Sequence, residues 1–301
     1  MRGHIPEVTD TQEELAEKRR GRLIGEFWYR FGGNRAGVAG LALVASFCVI
    51  ALLAPWIAPF GQMDSSAGPA LSPPTSRNIL GTDDLGRDIL SAIIYGARPS
   101  LLVGILSAGI AAILGTVVGI VSGYYGGSID DILMRFTEMV MTIPIFVLAV
   151  IIVTFFGSSM PFVVMTIALL IWPGTARVTR SETMRIEKME FVNVARSFGA
   201  STREIITGEL LPNIVGPIVV TWTLCVGFSI LMAAGLSFIG LGDINYPDWG
   251  YMLQRSMAFI NRAWWMSVFP GISIFLVVLA FNLIGDAISD AFSPKAITGE
   301  K

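Results

Sequence analysis

A charged segment over residues 190–213 lies between two long apolar stretches, and its residue types are suited to binding another protein. Four apolar residues recur in it with the spacing of one helix face: Phe191, Val194, Ala195 and Phe198. This spacing predicts a short helix with a single apolar stripe. Gly199 should end that helix, because glycine adopts the left-handed closing conformation without strain. An amphipathic helix outside the bilayer needs a surface for its apolar side, so we expect this segment to dock onto a partner protein.

Residues that could perform catalysis or bind a metal show no recognisable arrangement. The single histidine is His4, and the two cysteines, Cys48 and Cys225, lie within apolar stretches. The sequence has no G-x-x-x-x-G-K-[ST] motif, so we do not expect the chain to bind a nucleotide through a P-loop. We predict no catalytic residues, no metal ligands and no cofactor on this chain, and we interpret it as a conduit rather than an enzyme.

The composition predicts the element type that positions this segment. Hydrophobic residues make up 53% of the chain and charged residues 15%, which is typical of a membrane protein. Five stretches lack Asp, Glu, Lys and Arg: residues 36–63, 99–129, 139–176, 210–242 and 263–285. A spanning helix needs ~20 apolar residues, and the third stretch has room for two with a turn between them. We predict an all-α membrane protein with six transmembrane helices, at about 36–58, 98–123, 134–156, 162–179, 213–238 and 266–287.

The distribution of Lys and Arg predicts the orientation. With the N terminus inside, 16 of the 21 Lys and Arg residues fall on inside segments and five on outside segments. We therefore expect both termini and the charged segment to be cytoplasmic. Residues 1–35 are interpreted as a cytoplasmic N-terminal tail and interfacial segment, and residues 36–301 as the transmembrane domain.

Three local patterns predict how the spans are shaped. Pro144 should kink the third helix, because proline lacks an N–H and its ring clashes with the preceding turn. A ladder of small residues in the second helix is better explained by close packing within the chain than by a dimer face. The ladder is Gly104, Ala108, Ala112, Gly115, Gly119 and Gly123. Four charged residues just inside the third helix are most simply solvated interface charges: Asp130, Asp131, Arg135 and Glu138.

The charged segment resembles the cytoplasmic motif of the permease subunits of bacterial ABC importers, which reads E-A-A, three residues, Gly, nine residues, I-x-L-P. The residues that match are Ala195, Gly199, Leu211 and Pro212, and those that depart are Asn193, Val194 and Glu209. The pattern of the peptide branch is present as Glu190-Phe191-Val192 and Gly199-Ala200-Ser201. Further blocks that begin at Leu80, Leu236 and Phe269 also resemble this family. The chain is thus similar, over residues 27–295, to the second permease of dipeptide and oligopeptide uptake systems.

This resemblance implies a type I ABC importer permease fold and a set of partners. The chain would pair with a homologous permease as a heterodimer and line half of a path for di- and oligopeptides. Two ABC ATPase subunits would hold ATP and Mg²⁺ inside, and an extracytoplasmic substrate-binding protein would deliver cargo. The expected location is the inner membrane of a bacterial or archaeal cell, with no nucleic acid partner. Coupling to the ATPases would use a segment over 188–212, with contacts from Glu190, Phe191, Val194, Ala195, Arg196, Phe198, Gly199, Ala200, Leu211 and Pro212.

Outside residues have two interpretations of equal weight. Under the resemblance, the binding protein could contact Asp83, Asp84, Arg87, Asp88 and Trp249. Alternatively, Thr82 or Asp83 is the N-cap of a helix that runs into Ile89, and Trp249 is an anchor at the membrane interface.

Alternatives to the main interpretation stay open. The same machinery could carry a nickel chelate, glutathione or another small solute. An ATP-independent transporter or channel is disfavoured, because no charged residue is predicted in the middle of a span. The charged segment could also lie on the lipid surface with its basic residues at the head groups, but its spacing to Gly199 and Pro212 favours docking.

Overall fold

The computed structural model describes residues 25–292, so His4 and most of the predicted N-terminal tail lie outside the described residues. The elements used below are α1 (Arg35–Leu52), α2 (Ile89–Tyr125), α3 (Gly127–Thr142), α4 (Ile145–Phe156), α5 (Met160–Glu187), α6 (Glu190–Ser197), α7 (Thr202–Phe238), α8 (Trp249–Ser256) and α9 (Trp265–Phe292). The sole β feature in the described part of the chain is an isolated bridge between Thr82 and Asp88. The predicted all-α fold is confirmed.

The helices include enough long apolar elements for the predicted six spans. Helices α1, α2, α5, α7 and α9 could each cross a membrane, and α3 with α4 forms a sixth unit that is bent by 83°. Two helices extend beyond the predicted spans: α2 begins at Ile89, ahead of a span predicted from about 98, and α7 begins at Thr202, ahead of a span predicted from about 213. Helix α2 has 37 residues. That is about 55 Å of helix against a hydrocarbon core of ~30 Å, so the extra turns project from the membrane.

Side-chain contacts define two ends of the helix bundle. One buried cluster joins the last turns of α2 and α5 to α6 and the start of α7: Ile120, Ile186, Val192, Ile205, Leu210 and Ile214. We call this the α6 end. Asn34, just before α1, donates a hydrogen bond to Asp290 of α9, so the start of α1 lies near the end of α9. At the opposite end, the α8 end, Trp265 at the start of α9 donates to the carbonyl of Thr82.

The third span is broken rather than gently kinked. Helix α3 ends at Thr142, and Ile143 has the extended backbone (φ −84°, ψ 135°) that is usual before proline. Pro144 then precedes the first residue of α4. The predicted effect of Pro144 is confirmed, and the two half-helices meet at 83°.

The small-residue ladder of α2 packs against other helices of the same chain, as predicted. A Cβ built on Gly119 would lie 2.6 Å from the Cβ of Thr179 on α5. Gly115 and Gly123 meet Thr175 and Thr183 of α5 in the same way. These glycines let α2 and α5 lie backbone to backbone. The pair forms the rigid centre of the bundle.

Substitution of Gly119 tests this close approach. Gly119→Ala should lower stability by about 1–3 kcal/mol, because the added methyl overlaps α5. Gly109 is the matched control, since a Cβ there meets nothing within 4 Å. Gly109→Ala should be neutral or stabilising by up to about 1 kcal/mol, because alanine favours helix. Thermal unfolding in detergent measures both variants, and equal melting temperatures would contradict the packing.

Candidate coupling surface

Helix α6 is joined to α5 by only two residues, Lys188 and Met189. Its inner side is fixed by Val192, which is fully buried in the cluster at the α6 end. Glu190 lies in the first turn, where a negative charge interacts favourably with the helix dipole. The short helix is therefore an extension of α5 that is anchored to the bundle.

The opposite side of α6 carries an exposed apolar stripe. The exposed fractions are 39% for Phe191, 52% for Val194 and 88% for Phe198. Ala195 is half-buried beside them. An exposed apolar patch rimmed by polar residues is typical of an interaction site.

Gly199 closes α6, as the sequence predicts. Its φ is +86°, which a residue with a Cβ adopts only with strain. The N–H of Gly199 donates to the carbonyl of Arg196, and the N–H of Ala200 donates to the carbonyl of Ala195, both at 3.1 Å. These two bonds form a Schellman motif. Ser201 follows and forms a capping box with Glu204 at the start of α7. The connection between α6 and α7 is thus held by backbone bonds at Gly199 and Ala200 and by side chain–backbone bonds between Ser201 and Glu204.

Arg196 binds within its own chain. It forms an ion pair with Glu187 of α5 at 2.9 Å, and its guanidinium lies over the ring of Tyr124 at 6.0 Å. The hydrogen bond to Glu187 raises the pKa of Arg196. The pair spans the α5–α6 connection and orients the exposed stripe.

Pro212 lies in the first turn of the regular α-helical part of α7, Leu211–Phe238, which follows a helical lead-in from Thr202. Residues Ile205–Leu210 form a π-helical turn, in which the N–H of Leu211 bonds to the carbonyl of Ile206. The wider turn accommodates Pro212, which lacks an N–H for the regular pattern. It also places Leu210 in the buried cluster and leaves Leu211 and Pro212 exposed at the α6 end.

At the α8 end, the carboxylates of the segment before α2 serve local structure. Asp88 is 3% exposed and is the N-cap of α2, where it accepts from the N–H of Ser91 at 2.8 Å. The predicted caps, Thr82 and Asp83, are therefore wrong. Asp83 accepts from the N–H groups of Leu85 and Arg87, and burial raises its pKa.

Trp249 also has an interior role, which corrects both interpretations of it. Its side chain is 0% exposed, its ring N–H donates to the carbonyl of Ile93 at 3.0 Å, and its ring packs edge-on against Phe47. Of the five predicted contact residues, Asp84 and Arg87 remain partly exposed. Asp84 pairs with Arg255, which fixes the segment to α8.

Asp248 is a buried carboxylate that the sequence reasoning missed. It is the N-cap of α8, where it accepts from the N–H of Tyr251 and from the hydroxyl of Ser237, both at 2.7 Å. Burial raises the pKa of Asp248 to about 6, although these hydrogen bonds lower it. Its position just before a short amphipathic helix was the available signal.

Asp130 differs from its prediction as a solvated interface charge. Asp130 is buried instead of solvated, because Arg180 of α5 binds both of its oxygens and Ser122 of α2 donates to one of them. Asp131, Arg135 and Glu138 are exposed, as expected for interface charges.

A cavity of about 530 Å³ lies at the break between α3 and α4. Residues 140–145, which include the break, line one side of it, and residues of α5 and α7 line the rest. Irregular backbone inside a membrane is tolerated where it is buried in protein or lines a polar cavity. The break and the cavity are therefore parts of one feature.

Comparison with known proteins matches this chain to one family. Residues 115–298 match the family model described as "Binding-protein-dependent transport system inner membrane component". Residues 22–74 match the "N-terminal TM domain of oligopeptide transport permease C".

Three relatives cover most of this chain. The dipeptide transport system permease protein DppC of Alkalihalophilus pseudofirmus is 40% identical, over 87% of this chain and 86% of the relative. The glutathione transport system permease protein GsiD of Pectobacterium atrosepticum is 38% identical, over 90% of each chain. The oligopeptide transport system permease protein OppC of Haemophilus influenzae is 35% identical, over 97% of this chain and 94% of the relative.

A solved structure has the same helical fold. A chain of the inward-facing MetNI methionine ABC transporter superposes with a TM-score of 0.54 at 18% identity, over 66% of this chain and 96% of that chain. The type I importer permease fold is thereby confirmed.

The pH dependence of stability tests the burial of Asp248. The folded-state pKa of about 6 exceeds the ordinary value of 3.8, so the folded state binds this proton more tightly. The contribution of Asp248 to stability should therefore fall as the pH rises from about 4 to about 6. Asp248→Asn keeps an acceptor for Tyr251 and should remove that fall. The melting-temperature difference between the variant and the unchanged protein, followed with pH, isolates this group, and a constant difference would contradict the assignment.

Proposed function

Because the chain belongs to the family of binding-protein-dependent transport system inner membrane components, we propose that it is one of two homologous permeases of an ATP-driven peptide importer. It is a multi-pass membrane protein of a transporter permease family. In the proposed assembly, two ATPase subunits hold ATP and Mg²⁺ at the α6 end, which is cytoplasmic. A substrate-binding protein delivers cargo at the α8 end.

The observation that carries this proposal is the exposed stripe of α6. Full burial of one such side chain stabilises a complex by roughly 1.5–3 kcal/mol. A cleft on an ATPase subunit that covers Phe191, Val194 and Phe198 would offset much of the cost of association. The stripe projects from a helix fixed by Val192 and the Gly199 cap, so a movement of the cleft moves α6 and the end of α5 as one body.

The distribution of charge supports this orientation. The α6 end carries Arg185, Lys188, Arg196 and Arg203, all exposed. Basic residues accumulate on the cytoplasmic side of membrane proteins. At the α8 end, the partly exposed Asp84 and Arg87 are the remaining candidates for contact with the binding protein.

The cavity at the break supports a role in conduction. It combines apolar walls with the side chains of Thr142 and Thr221 and the broken segment at Pro144. Mixed walls of this kind let a solute pass without binding it tightly. In the proposed heterodimer, the cavity forms one half of the path.

Peptides are the cargo that the relatives favour. The three relatives above are named for dipeptides, glutathione and oligopeptides, at identities between 35% and 40%. Glutathione is itself a small peptide, so these names share one chemistry. The similar identities do not distinguish between dipeptides, oligopeptides and glutathione as the cargo. A nickel chelate is the second candidate.

Cross-linking tests the docking of α6. A cysteine at Val194, in a chain whose Cys48 and Cys225 are replaced by Ser, should cross-link to a cysteine in the helical cleft of the co-encoded ATPase. Asn193→Cys on another face of α6 is the control and should link weakly. Strong linking at 193, or none at 194 in any nucleotide state, would contradict the docking geometry.

Uptake into proteoliposomes tests the activity. The complex reconstituted with its binding protein should accumulate a labelled dipeptide only when ATP is supplied, and excess glutathione or a nickel–histidine chelate measures the preference. Phe198→Ala should reduce this uptake several-fold by weakening the docked stripe, whereas Asn193→Ala should not. Uptake that is independent of ATP would overturn the proposal.

A further inference from the structure

Helix α3 is attached to the rest of the chain by few side chains. Its buried residues are Asp130 and Thr137, and the hydroxyl of Thr137 bonds to Leu133 of the same helix. Phe136 stacks on Trp172 of α5, with ring centroids 6.1 Å apart, but is itself exposed. Asp130 is therefore the buried polar link between α3 and its neighbours.

Both ends of α3 are joints. At its start, Gly126 and Gly127 have φ values of +61° and +53°, and a Cβ on either would meet nothing within 4 Å. At its far end is the break at Ile143 and Pro144, which lines the cavity. A helix with a joint at each end can swing as a rigid rod, and its position is set by what holds it in between.

The group that holds Asp130 belongs to the rigid centre of the bundle. Arg180 lies about two turns before the end of α5, which continues through two residues into α6. Its Nε and a terminal nitrogen bind the two carboxylate oxygens of Asp130. Ser122 of α2 binds the same carboxylate. Since α2 and α5 are packed backbone to backbone, Arg180 and Ser122 move together.

We propose that the Asp130–Arg180 pair is the rigid link through which movement of α6 is passed to α3 and onward to the break at Pro144. Both are positioning residues, since they act through the helices they connect. A forked guanidinium–carboxylate pair suits this role, because two parallel bonds fix orientation as well as distance. The inference rests on the proposed function, which supplies the movement of α6.

Conservative variants distinguish the proposed transmission of movement to α3 from a role in stabilising the fold alone. Asp130→Asn removes the charge at constant size, and Arg180→Lys keeps the charge but loses the fork. The matched control is the more exposed pair of Glu182 and Arg185 on the same helix as Arg180. In the reconstituted complex, Asp130→Asn and Arg180→Lys should cut the cargo transported per ATP hydrolysed by about tenfold while hydrolysis continues. Glu182→Gln should leave this ratio unchanged.

A second measurement does not depend on transport. Hydrogen–deuterium exchange of residues 127–142 in the complex should speed up in Asp130→Asn and Arg180→Lys, but not in Glu182→Gln. If both variants transport as much cargo per ATP hydrolysed as the unchanged complex, even with less complex assembled, the proposed role of the pair is wrong. Unchanged exchange would overturn it as well. Absence of ATP-dependent uptake in the unchanged complex would instead contradict the proposed function, and the exchange measurement would still decide whether the pair holds α3.

Discussion

Backbone polar groups inside a bilayer have no water to bond with, and this constraint explains the irregular features of the fold. Where proline interrupts the backbone hydrogen bonding of a helix, other groups or a change of geometry compensate for the lost bonds. Arg98 donates to the carbonyls of Ala51 and Leu52, which end α1 just before Pro55. Around Pro212 a π-helical turn shifts the hydrogen bonds to new partners. At Pro144 the helix breaks completely, and the exposed backbone borders a cavity.

The same constraint divides the structure into a rigid part and a jointed part. Helices α2, α5 and α7 each run unbroken across the bundle and approach closely through small residues, such as Gly104 against Ile230 of α7. The broken span cannot gain rigidity that way, because its two halves meet at 83°. Its inner half, α3, is held to α5 by the Asp130–Arg180 charge pair and by the stacking of Phe136 on Trp172. A strong but local charge pair allows α3 to change its angle to α5, whereas two helices packed backbone to backbone cannot move in that way.

Features set by local sequence were predictable, and those set by distant partners were not. The spans follow from composition, and the cap at Gly199 and the break at Pro144 follow from properties of single residue types. Asp130 was misread because its partner, Arg180, lies 50 positions away. Trp249 was misread because it packs against Ile93 and Phe47, on helices α2 and α1, which no local pattern brings together. The first turns of α2, from Ile89 onward, were missed because an apolar stretch indicates only the part of a helix that lies within the membrane.

The stripe on α6 is informative because the structure stabilises it in an exposed position. An isolated helix of eight residues is marginal in water and would gain by turning Phe198 inward. It is prevented from turning, since Val192 occupies the buried cluster, Arg196 is paired to Glu187, and Gly199 fixes the exit of the chain. These contacts hold an apolar surface that the chain itself does not bury. A lipid surface could also cover such a stripe, but it would not require the helix to be tied to α5 and α7 at both ends. Rigid attachment is useful when the bound surface itself moves, and that favours a protein that changes shape.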